Sequence, residues 1–195
     1  SFLDFETFNP ALPAYVGTRP YQAVPFQWSL HIKPLFGDVT HRSFLWSDQD
    51  DPRPALVESL IDAIPPEGTI VAYSNYEQRI MKDLATEFPA FEDALLDLCD
   101  RTFDLLKLVR EEYYHPQFHG NFSIKSVLPV LVPEMGYGDL EIQHGLVAAL
   151  DFGRMVAEGT PIDEKEKTRE ALLAYCQKDT EAMVRIFDML YSMDV

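Results

Sequence analysis

Apolar positions change their spacing along the chain, and the changes mark out the elements. Phe2, Leu3, Phe5 and Phe8 crowd the first residues as in a buried strand, so Ser1–Phe5 is predicted to be extended. A proline-containing loop follows from Asn9 to Pro25. Gln27–Ile32 and Thr40–Leu45 read as two strands, with Gly37-Asp38 as the turn signal between them. Ser47–Arg53 is an acidic loop, Ala55–Ile64 has helical period, and Pro65-Pro66 with Gly68 ends that helix before a short apolar strand at Thr69–Tyr73. Helical spacing then dominates, over Tyr76–Glu87, Phe91–Cys99, Phe103–Glu111, Ile124–Leu131, Leu146–Glu158 and one long stretch from about Asp163 to Met193. Strands first and helices later predict an α/β fold: a mixed β-sheet flanked by helices, with a helix-rich C-terminal half.

Composition narrows this. A chain of 195 residues, 47% of them hydrophobic, can bury one substantial core, so residues 1–195 are expected to form one domain. No run of about 18 apolar residues is present, which argues against a membrane span. The opening Ser-Phe-Leu-Asp-Phe-Glu reads as core strand without an initiator Met, and predicts a domain excised from a longer protein with a covalently attached N-terminal domain. Two isolated cysteines, Cys99 and Cys176, make neither a disulfide framework nor a zinc spacing, and a reducing, cytoplasmic setting is the default. The formal charge of −16 argues against a simple nucleic-acid-binding module, which normally carries a basic footprint. It does not exclude an enzyme whose divalent cations offset the charge locally.

The candidate chemistry lies in acids that interrupt apolar faces. Leu172, Tyr175, Cys176, Asp179, Met183, Ile186, Phe187 and Leu190 share one face of the last helix. Asp179 in that stripe is costly unless something cationic pairs with it; the alternative is a place at the stripe's edge, facing water or a distant Lys. Asp4 and Glu6, two apart in a strand, share a face and repel one another. A divalent metal with hard oxygen ligands would resolve the repulsion, and a wet edge strand is the alternative. Glu77 follows Ser74 at a helix start, which is the capping-box spacing, yet it is also in phase with Ile80, Met81 and Leu84 and so points toward the buried side.

Taken together these residues resemble the DnaQ-like exonucleases, the DEDD group of the ribonuclease H-like superfamily. The first motif, Asp-x-Glu, corresponds to Asp4-Phe5-Glu6-Thr7. The second, an acid after an aromatic, corresponds to Tyr76-Glu77, with Glu where Asp is usual. The third, Tyr-x-x-x-Asp, runs from Tyr175 to Asp179 and marks the tyrosine-type subgroup. Pro25-Phe26-Gln27-Trp28, Tyr114-His115-Pro116 and Phe122–Pro129 further resemble a bacterial branch of that superfamily described as a domain of unknown function, sometimes joined to an N-terminal nuclease-like domain.

The resemblance implies a ribonuclease H-like sheet and 3′–5′ exonuclease activity on DNA or RNA, with two Mg²⁺ or Mn²⁺ ions and a single-stranded nucleic-acid end as partner. Asp4 would bridge the ions, Glu6 and Asp179 would complete the shell of one, Glu77 would hold the other, and Tyr175 would orient the attacking water. Thr7, Phe26 and Lys125 are the candidate substrate contacts. Lys125 follows a Ser123 helix cap, a reasonable phosphate site, although a solvated Lys is the plainer reading. Phe26 and Trp28 could stack bases, with core packing as the alternative. Asp104 is expected to be structural, and His115 and His119, flanking Pro116, to be loop residues and not a metal pair. The competing reading is a catalytically weak or inactive exonuclease-like module that serves as an interaction domain of a larger protein.

Overall fold

The computed structural model describes residues 1–193. Among them, five strands form one mixed sheet: β1 (Phe2–Phe8), β2 (Val24–Ile32), β3 (Thr40–Leu45), β4 (Ile70–Ala72) and β5 (Thr102–Asp104), in the order β3-β2-β1-β4-β5. β1–β2 and β2–β3 are antiparallel, whereas β1–β4 and β4–β5 are parallel. Seven α-helices flank the sheet: α1 (Arg53–Ala63), α2 (Tyr76–Glu87), α3 (Glu92–Asp100), α4 (Leu105–Glu112), α5 (Ile124–Leu131), α6 (Gly145–Met155) and α7 (Ile162–Met193). The fold is therefore the α/β mixed sheet flanked by helices that the hydrophobic pattern predicts. No helix among the described residues is long and apolar enough to cross a membrane.

Side chains alternate across a strand, and β1 uses this to serve two cores. Leu3 and Phe5 join Trp28, Leu30 and Ile70 in a core closed by α1, α2 and α3. Phe2 and Phe8 point the other way, into a core built by α4, α5, α6 and α7. Asp4 and Glu6 share this second face, so the acids stand between two phenylalanines on the side that α6 and α7 cover.

Several predicted boundaries move; the helix expected over Leu146–Glu158, for one, runs Gly145–Met155. β1 continues to Phe8, and β2 begins at Val24 inside the predicted loop. The predicted helix Phe103–Glu111 is wrong at its start: Thr102–Asp104 is a strand paired with β4, and the helix begins at Leu105. Asp104 is its N-cap, accepting from the Lys107 amide at 2.9 Å, a structural role. Phe26 is corrected as a substrate contact: it is fully buried and stacks on Phe152 with centroids 3.9 Å apart, so no base can reach it.

Candidate metal centre

The site forms where the parallel strands end. Ligands in open α/β sheets commonly sit beyond the carboxyl ends of such strands. β4 stops at Ala72, and Tyr73–Asn75 leads directly into α2, which places Glu77 beside the outgoing half of β1. α7 crosses the same face of the sheet and brings Tyr175, Cys176 and Asp179 against Asp4 and Glu6. The N-terminal turn of α5 and the segment before α6 close the other side.

The result is a cleft of about 350 Å³ whose lining includes Asp4, Glu6, Glu77, Lys125, Tyr175 and Asp179. Four carboxylates thus face one ammonium. Burial is the first cause that pushes the Asp4 carboxyl well above its usual range, and Asp179, Glu6 and Glu77 add to the rise by repulsion. Glu6 is raised well above its range by burial and by Asp179, with Lys125 pulling the other way. Burial lifts Glu77 to about 7 against its own backbone N–H, and lifts Asp179 to about 6 against the hydroxyl of Tyr137.

The geometry resolves the alternatives left open for each acid. Asp179 is 8% exposed and accepts from the Tyr137 hydroxyl at 2.6 Å, so it is not a solvated edge residue. Glu6 is buried on the inner flank of a central strand, which removes the wet-edge reading. The capping box does not form: Ser74 Oγ accepts from the Tyr76 amide at 3.0 Å, and Asn75 is the N-cap without a side-chain bond. Glu77 Oε2 is buried with no hydrogen-bond partner among the described residues. Such an orphaned acceptor is rare and calls for an explanation.

Other contacts complete the picture. Lys125 Nζ donates to Tyr175 Oη at 3.0 Å and to the Gln143 carbonyl, and lies 4.9 and 5.1 Å from the ring centroids of Tyr175 and Tyr137. Lys125 is therefore a held residue and not a freely solvated one. Burial and the surrounding carboxylates raise the Tyr175 phenol well above its ordinary value, so it stays protonated. The start of α6 also reaches the site: a Cβ on Gly145 would lie 3.7 Å from Glu6 Oε2, which puts the positive end of that helix beside a carboxylate. Thr7 is outside the cleft lining and instead bonds Tyr76 Oη at 2.5 Å, which ties β1 to α2. His115 Nδ1 accepts from the Gln117 amide at 3.3 Å in the turn at Pro116–Phe118.

Sequence reasoning missed two residues. Tyr137 lies in a loop with no periodicity to expose it. Cys176 is one of two isolated cysteines without a zinc spacing, yet its Sγ lies with oxygens of Asp4 and Glu6 in a group whose atoms are all within 4.8 Å of one another. Burial and the adjacent acids raise its thiol well above the usual value, so it remains a donor, and Asp4 Oδ2 is 3.6 Å away.

No curated protein and no solved structure matches the chain. A family model described as Domain of unknown function (DUF2779) matches residues 1–123. That stretch carries all five strands with Asp4, Glu6 and Glu77, and ends just before Lys125. Since the match covers more than half of the 195 residues, the chain belongs to the DUF2779 family.

Proposed function

We propose that the chain is a metal-dependent nuclease domain of the DnaQ-like type, which hydrolyses phosphodiester bonds from the 3′ end of a single strand of DNA or RNA. One observation carries the reading: four buried or half-buried carboxylates line one cleft with a single ammonium among them, and one carboxylate oxygen is orphaned. Buried charge of one sign is sustained only by protonation or by a counter-charge. The donor set is hard oxygen throughout, which suits Mg²⁺ or Mn²⁺. Cys176 offers a soft sulfur, poorly matched to these hard cations, and is not counted among the ligands.

Asp4, Glu6, Glu77 and Asp179 would hold the ions. A bound pair supplies charge stabilisation for the attacking and leaving oxygens and lowers the pKa of a coordinated water. The chain's own groups do the rest. Tyr175 stands one helical turn before Asp179, so both face the cleft. Its phenol stays protonated and so is no general base at neutral pH; it accepts from Lys125 and its own hydrogen is directed to the Asp179 side of the cleft, where it would help orient a nucleophile. Lys125 and the free amides at the start of α5 meet the phosphate.

A second reading, an exonuclease-like module without turnover, is favoured by the charge of −16 and by Glu77 in place of Asp. One experiment separates them. The chain is titrated with Mn²⁺ while melting temperature and cleavage of an end-labelled single strand are followed, beside Asp4→Ala and Asp179→Ala. Metal-dependent cleavage lost in both variants supports the nuclease. Metal binding without cleavage leaves the second reading, and no metal binding overturns the site assignment itself.

A further inference from the structure

One buried contact of Asp179 takes no part in that chemistry. Tyr137 stands in the connection between α5 and α6, outside the residues that the family model matches. Its hydroxyl donates to Asp179 Oδ1 at 2.6 Å, in the range of a hydrogen bond to an ionised carboxylate. We infer that Tyr137 is a positioning residue, which holds the Asp179 carboxylate in the orientation from which it binds metal; the inference rests on the metal-centre reading above.

The geometry supports a built contact. Asp179 stands in a cluster with Asp4, Glu6 and Glu77, whose like charges push its carboxylate outward toward solvent. The Tyr137 hydroxyl tethers one oxygen of that carboxylate in a set direction and so limits how far it can turn. Tyr137 is fixed in turn. It is 9% exposed and belongs to the core shared by α5, α6 and α7. Its carbonyl accepts from the Leu140 amide at 3.2 Å, and its ring lies against the Lys125 ammonium. Lys125 also binds Tyr175, so one side chain joins both tyrosines that face Asp179 and the nucleophile position. Groups that orient metal ligands in this way change metal affinity although they never touch the ion.

The test is Tyr137→Phe, which keeps the ring and removes only the hydroxyl. Mn²⁺ is titrated calorimetrically into the wild-type chain, Tyr137→Phe, Asp179→Asn and the double variant, with EPR of free Mn²⁺ where binding is weak. Melting temperatures are taken without metal. Tyr137→Phe is expected to weaken Mn²⁺ binding by about 10- to 100-fold, and to have no further effect once Asp179 is Asn, because a group acting through another is silent when that other is gone. Equal affinity in wild type and Tyr137→Phe overturns the inference alone. So does an undiminished loss in the Asp179→Asn background, which would mark Tyr137 as merely structural. Wild-type protein that takes up no Mn²⁺ overturns the metal-centre reading, and the inference with it.

Discussion

Glu77 shows how a functional residue works against the fold that holds it. Its carboxylate is 4% exposed, has an oxygen without a partner, and titrates at about 7 instead of 4.5. A raised folded-state value means that the native chain keeps a proton which the unfolded chain releases. The stabilisation is complete below about pH 4.5 and is lost as pH rises through 7. Glu77→Gln removes the ionisation and keeps the size. The metal-free variant is therefore expected to melt higher than wild type at pH 8 and equally at pH 4, with roughly 2–4 °C gained per kcal/mol relieved. With Mn²⁺ present the order reverses, because the amide is the weaker ligand. Calorimetric melts at the two pH values, with and without metal, read both halves; a variant less stable than wild type in metal-free buffer at pH 8 would refute the assignment.

At the scale of elements, the placement of α7 decides the site, and Thr180 keys it. Thr180 is fully buried, and its hydroxyl meets Ser29 Oγ at 2.8 Å, His31 Nδ1 at 2.7 Å and the Gln177 carbonyl at 3.1 Å. Ser29 is the register partner of Asp4 on the neighbouring strand, so this network fixes the helix within reach of the acids. His31 is lowered to about 4 by burial and by His41, stays neutral, and holds its place in the network at any working pH. Thr180→Val strands the buried His31 Nδ1, while Ser29 keeps its bond to His41 Nε2 at 2.9 Å, and is expected to cost roughly 1–3 kcal/mol and to weaken Mn²⁺ binding through the adjacent Asp179. Thr180→Ser should restore most of both; a melt in which Val matches Thr would count against the keying role. The same elements show what the sequence could disclose. Asp4, Glu6 and Asp179 were legible because each breaks an apolar face, and such a break has few explanations. β5 was not, because three residues carry no period and Phe103 fits the helix that follows. Tyr137 was not, because its meaning lies in a partner 42 residues away.

For the whole molecule, charge makes the expected outcomes depend on metal. With 32 acidic against 16 basic residues, and Lys125 the single basic residue lining the cleft, a polyanionic strand is repelled from the metal-free chain. Strand binding should therefore vanish on chelation and not merely weaken, unlike binding by a basic surface, which salt reduces but chelators leave alone. Proton linkage sharpens the same expectation. Asp179 titrates at about 6 and Glu77 at about 7, with Asp4 and Glu6 both raised well above their ordinary values. Below this window the cleft is protonated and cannot ligate; above it, the metal-free chain has lost the stability that those protons conferred, and a cation competes only with solvent. The melting temperature without metal should fall as pH rises from about 5 to 8, whereas the gain from a fixed Mn²⁺ concentration should grow over the same range as the dissociation constant falls, reaching about 2.7 kcal/mol where that concentration is 100 times the dissociation constant. Opposite slopes in the two series tie the acidity of the chain to the centre it encloses. A metal-induced gain that is the same at pH 5 and pH 8 would mean that the ions bind elsewhere on the acidic surface and not in the cleft.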